Sequence, residues 1–121
     1  MTVQQMFNSL PILQRVMELK MPLNYAYAIY NLAKQINDKR DFFIKEERKL
    51  IEQFQAEILE NGNIRFKTLE EQEQFSLEHA NLMQCELDDL KCIEIPLECL
   101  KDASFTPMEL LSLEGAINFI E

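Results

Sequence analysis

The sequence has little of what catalytic and cofactor-binding chains usually carry. It has 2 glycines in 121 residues, which argues against a Gly-rich phosphate loop or a Rossmann turn. Its one histidine, His79, excludes His-rich metal sites and paired-histidine catalysis. There are three cysteines, Cys85, Cys92 and Cys99, and no C-x-x-C pair, so the common zinc patterns fail. The odd count fits a reducing, cytosolic compartment, and the three read as small buried apolar groups. Fully apolar runs last only a few residues, too short to span a membrane. The start, Met1-Thr2-Val3-Gln4-Gln5-Met6, lacks the basic head and apolar core of a secretory signal.

Positive charge is scarce in the second half. Residues 1–67 hold 10 Lys/Arg against 8 Asp/Glu, and residues 68–121 hold 2 against 13. The net charge of -9 disfavours direct binding to nucleic acid. The acidic half, with Glu70, Glu71, Glu73, Glu86, Asp88 and Asp89, predicts a surface for a basic partner.

At 121 residues, 47% of them hydrophobic, the chain is one domain, residues 1–121, with an ordinary globular balance. Thr2 and Gln5 have the form of a capping box, and Val3, Met6, Phe7, Leu10, Leu13, Val16 and Met17 follow a helical period. Pro11 is expected to kink or split that helix, and Pro22 to close it. From Asn24 to Glu60 there is no Gly or Pro, which predicts one helix about 37 residues and roughly 55 Å long. Tyr25, Ile29, Leu32, Ile36, Phe43, Leu50 and Phe54 form an apolar seam along it, broadened by Phe42, Ile44, Ile51, Ile58 and Leu59. Such a seam needs a partner along its length, either a later helix or a second copy, so a homodimer is expected. Tyr27, Tyr30 and nearby alanines suit close packing at one end.

Asn61-Gly62-Asn63 reads as the turn that ends the helix, with Gly62 left-handed. Ile64–Lys67 and Leu90–Ile95 alternate like strands and are expected to pair, clipping the helical hairpin. Thr68 caps a helix to about Gln84, and Pro96–Lys101 is a single helical turn. Thr106-Pro107-Met108-Glu109 combines an N-cap, Pro at the first helical position and a capping-box Glu. It opens a terminal amphipathic helix expected to reach Phe119. The fold class is mainly α with a minor β element: a long helical hairpin, a short two-stranded clip and a terminal helix.

No constellation selects catalysis. The paired acids Glu46/Glu47, Glu70/Glu71 and Asp88/Asp89 read as solvated faces, and Glu78-His79 lacks di-iron spacing. His79 is expected on an exposed face, and Ser76 near it is only weakly suggestive of a nucleophile. Arg40, Arg48 and Lys49 lie among aromatic residues and offer an anion site, although Asp38, Asp41, Glu46 and Glu47 neutralise the field. The expectation is a protein that is not an enzyme and has no catalytic residues, cofactor or metal.

Several stretches resemble a known family. They are Met21-Pro22-Leu23-Asn24-Tyr25-Ala26-Tyr27-Ala28-Ile29, the Glu-Glu-Arg-x-x-Leu-Ile stretch within Phe43–Phe54, Glu60-Asn61-Gly62-Asn63-Ile64, Ile93-Glu94-Ile95-Pro96-Leu97, and Phe105 through Glu114. Their order and spacing, from about Leu13 to Ile120, are similar to an uncharacterised family (a domain of unknown function) from phages and prophages of Gram-positive bacteria. Pro11 and the three cysteines depart from that pattern. The resemblance implies origin and architecture and transfers no site residues. It implies a phage-encoded protein in the host cytoplasm that binds a host or phage protein. The leading expectation is inhibition of a host defence factor through the acidic surface. The alternatives are virion or tail assembly, or sequestration of an anionic nucleotide. A hydrolase is disfavoured.

Overall fold

The computed structural model describes residues 1–54 and 57–121. It is mainly α with a minor β element, in the order α1 (Val3–Met17), α2 (Leu23–Gln53), β1 (Glu57–Ile58), β2 (Ile64–Arg65), α3 (Leu69–Met83), β3 (Ile93–Pro96), a 3-10 turn (Leu97–Leu100), α4 (Pro107–Ser112) and β4 (Ile117–Ile120).

The helix starts follow from local chemistry. Thr2 Oγ1 accepts from the Gln5 amide while Gln5 Oε1 accepts from the Thr2 amide, closing a capping box. Thr106 and Glu109 repeat the device at α4 with Pro107 in the first turn, and Thr68 caps α3 through the Glu71 amide. α1 continues through Pro11 rather than splitting there. Its buried face, with Val3 and Met6 before the proline and Leu13 and Val16 after it, holds both halves on one core. That packing outweighs the roughly 3 kcal/mol that an interior proline costs. Ser9, fully buried on the same face, donates its hydroxyl to the Met6 carbonyl at 2.7 Å.

The long helix is shorter than its propensity predicts. α2 ends at Gln53, and Glu57–Ile58 form a strand instead of its last turn; residues 55–56 of the expected helix lie outside the described residues. β1 pairs antiparallel with β2, Glu57 opposite Arg65 and Ile58 opposite Ile64. Gly62, at φ 84, turns this hairpin rather than ending a helix. The expected pairing of Ile64–Lys67 with Leu90–Ile95 does not form. β3 pairs in parallel with β4, Ile93 opposite Ile117 through Pro96 opposite Ile120.

The terminal helix also stops early. α4 ends at Ser112, and Gly115, at φ 91, lets the chain turn from Leu113 into β4. Leu113, Ala116 and Ile117 are buried by that turn and strand rather than by a continued helix. A core of Met6, Leu32, Ile36, Ile95, Leu113 and their neighbours joins α1, α2, β3 and the α4–β4 turn. Among the described residues, no helix is long and apolar enough to cross a membrane.

Candidate interaction surface

The seam of α2 is consumed inside the fold. Ile29, Leu32, Ile36 and Phe43 are buried in the core, and Tyr25 packs against it. Leu50 is half-buried, and Phe54 meets Phe75 of α3 edge-on at 6.1 Å. The seam therefore packs on α1, α3 and β3 of the same chain. Lys39, a charged seam position, reaches out of it to Asp89 at 2.6 Å.

The opposite side of α2 carries the feature that stands out. Leu23, Tyr27 and Tyr30 recur at i, i+4 and i+7 and so share one face. They are 83%, 61% and 56% exposed. The two tyrosine rings stack at 6.2 Å with their planes 23° apart. Met17, at the end of α1, lies half-exposed beside them. Met17 and Tyr30 rim a small apolar cavity of about 190 Å³ that is floored by Val16 and Ile29.

Met17 is also shared with a larger groove of about 460 Å³ along α1 and α2. Leu10, Pro11 and Ala33 give it apolar walls, and Gln14, Asn37 and Arg40 give it polar ones. Arg40 donates from Nη2 to Asp41 at 3.3 Å, while its Nε is buried with no partner among the described residues. The groove is thus lined by apolar side chains, amide side chains and an incompletely used guanidinium.

The acidic residues do not form one surface. Glu70, Glu71 and Glu73 sit at the start of α3, and Glu86, Asp88 and Asp89 follow its end. A 15-residue helix separates the two groups by about 20 Å. Glu86 lies 3.5 Å from the Met1 ammonium, and Asp89 is held by Lys39. The hydrogen bond from Lys39 holds the Asp89 carboxyl below its ordinary 3.8, with its own backbone amide and the Lys39 charge adding to this.

Arg40, Arg48 and Lys49 do not converge either. At 100° per residue, Arg40 and Lys49 face opposite sides of α2 and stand about 13 Å apart along its axis. Lys49 bonds Glu46 at 3.0 Å. His79 is half-buried rather than exposed, stacked on Phe75 at 5.5 Å and 2.9 Å from Glu47. The cysteines correct another expectation: Cys85 and Cys92 are exposed and only Cys99 is partly buried, all three as free thiols. The loop and edge positions of Cys85 and Cys92 place them outside the apolar packing that their chemistry suggested. Among the described residues, no group of three or more His, Cys, Asp or Glu side chains is placed to hold a metal.

In the last turn of α1, two residues before Met17, Arg15 links to α4. Its guanidinium bonds Glu109 and the Ser104 carbonyl and lies 4.5 Å over the Phe105 ring. The Thr106 amide holds the Glu109 carboxyl below its ordinary 4.5 against the opposing effect of burial, with the Arg15 charge adding a smaller part.

Sequence reasoning missed Met17, Leu23, Gln14 and Asn37 as surface residues of interest. A second apolar stripe opposite the seam, Leu23-Tyr27-Tyr30, was the signal that could have found two sides to α2. Comparison with family models, curated proteins and solved structures finds no match to this chain.

Proposed function

We propose that this chain is a non-enzymatic interaction protein that grips an apolar, acid-bearing segment of another protein. The segment lies across the Leu23–Tyr27–Tyr30 stripe and runs into the groove, where a carboxylate meets Arg40. The observation that carries this reading is the stacked tyrosine pair left in solvent beside an apolar groove. Exposed tyrosines and arginine are among the groups that dominate protein–protein binding energy.

The motif resemblance supplies the setting, a phage-encoded protein in the cytoplasm of an infected host. The partner in this reading is a host defence factor that the protein inhibits. A virion or tail component is the alternative partner. The separated acids at the two ends of α3 do not favour an acidic docking face, and the diverging Arg40, Arg48 and Lys49 do not favour a nucleotide trap.

The test is paired capture from infected lysate with wild type and a Tyr27→Ser/Tyr30→Ser double variant, followed by mass spectrometry. The expected result is a partner retained by wild type through a wash at about 0.5 M salt, where the Debye length is only a few ångströms. The double variant should lose roughly 30-fold or more in affinity for it. A partner that salt releases, or that the double variant keeps, sinks this reading.

A further inference from the structure

The β3–β4 pair is a two-stranded parallel sheet, an arrangement that is marginal alone and is usually buried between other elements. Its two edges are not alike. β3, Ile93-Glu94-Ile95-Pro96, carries a charge and a proline, the ordinary protections of an edge, and it packs on α2. β4, Ile117-Asn118-Phe119-Ile120, carries neither, and β3 is the one element with more than marginal contact to it among the described residues.

The backbone of β4 can be assigned side by side. Ile93 donates its amide to the Ala116 carbonyl at 3.0 Å. In a parallel ladder each bonded residue bridges the neighbours of its opposite number. Residues 116, 118 and 120 therefore turn their amides and carbonyls toward β3, and residues 117, 119 and 121 turn theirs outward. The Ile117 amide is taken by the Leu113 carbonyl at 2.9 Å. Among the described residues, no bond reaches the Ile117 carbonyl, either backbone group of Phe119 or the Glu121 amide, which leaves them for a further strand.

We infer that β4 pairs antiparallel with β4 of a second copy about a two-fold axis at Phe119, making a four-stranded sheet. The outward groups are self-complementary about that residue. Phe119 exchanges both of its bonds with the partner's Phe119, and the Glu121 amide meets the partner's Ile117 carbonyl. The side chains agree with the backbone. Ile93, Ile95, Ile117 and Phe119 share the inner face, where Ile95 and Ile117 are buried and Phe119 is left half-covered at the rim. The two-fold sets the rims side by side, so the inner apolar row runs unbroken across the axis.

Charge favours this location over others for self-association. The chain carries -9, mostly in residues 68–121, yet Gly115 through Ile120 holds no charge. Glu121 closes the paired stretch, and about the two-fold it lies opposite the partner's Ile117, so like charges are not directly opposed. An edge-only contact is small beside the roughly 1,200–2,000 Å² of a stable interface, so the dimer is weak, with Kd in the range of tens to hundreds of micromolar. Added salt screens the global repulsion and tightens it.

Sedimentation velocity from about 5 μM to about 1 mM, with and without added salt, reads this directly. Wild type should pass from monomer to dimer, and Phe119→Pro, which removes the outward amide, should raise Kd at least tenfold at unchanged helical circular dichroism. Should that variant fail to fold, Ile120→Lys keeps the bond to β3 and plants two like charges flanking the axis. Hydrogen exchange on wild type gives an independent reading. The Phe119 and Glu121 amides should gain protection as concentration rises. A chain that stays monomeric throughout, a dimer untouched by the folded variants, or a dimer without that protection overturns the proposal.

Discussion

Replacing Ile36 by alanine tests the claim that the seam of α2 is spent within one chain. Ile36, on α2, is fully buried in the core. Removing three carbons forfeits about 2.4 kcal/mol of transfer energy at about 0.8 kcal/mol each. If the surroundings close half of the space left, about 40 Å³ remains and adds about 1 kcal/mol. The expected loss is about 3.4 kcal/mol. A chain of 121 residues has roughly 6–18 kcal/mol to lose, so the variant still folds. With a urea slope near 2 kcal/mol/M, the midpoint falls by about 1.7 M. Six residues earlier, Tyr30→Ala on the solvent side should change stability by about 0.5 kcal/mol or less. Urea melts followed at 222 nm, run at about 2 and about 20 μM, give both numbers. A seam inside the chain makes the Ile36 loss independent of concentration, whereas a seam between copies makes it fall with dilution. A loss below about 1.5 kcal/mol, a dependence on concentration, or an equal loss for Tyr30→Ala would refute the assignment of the two faces.

Two further outcomes follow from local geometry. Gly115→Ala should cost about 1–2 kcal/mol in the same assay, because φ is 91 and the new Cβ meets the Met1 Cβ at 3.3 Å; a neutral result would show that the α4–β4 turn takes another path. The depressed carboxyls of Asp89 and Glu109 contribute to stability on the acid side. Each stabilises fully above its ordinary value, 3.8 for Asp89 and 4.5 for Glu109, and that contribution is lost as pH falls through the lower folded value. Urea midpoints should therefore fall with pH in that acid window, and Asp89→Asn should flatten the lower part of the fall. An unchanged slope in that variant would mean that the Lys39 contact does not persist in solution.

The parts of the fold legible in the sequence are those specified by neighbours in the chain. Thr2, Thr68 and Thr106 stand at helix starts because a hydroxyl, an amide three residues on and, twice, a returning Gln or Glu complete a local circuit. The seam residues Ile29, Leu32, Ile36 and Phe43 announced the buried face of α2 through their spacing. Gly62 announced a left-handed turn. Gly115 carried the same signal in Leu113-Glu114-Gly115, and weighing it would have stopped the last helix near Ser112.

Strand partners were decided elsewhere. Ile93–Pro96 and Ile117–Ile120 are about two dozen residues apart, and no short window records that one will lie parallel beside the other. High helix propensity ran past Gln53, yet Glu57–Ile58 joined a hairpin, since pairing with Ile64–Arg65 is available only in three dimensions. The candidate site divides in the same way. Sequence identified the charges Glu70 to Asp89 and Arg40 to Lys49, and once α2 is a helix the spacing of Arg40 and Lys49 already sets them on opposite sides. The tertiary structure set the acids at two ends of α3 and left Tyr27 and Tyr30 in solvent beside the groove. Composition and period determined what each segment could bury. Packing decided what it was buried against, because burial is a contest among all segments for one core.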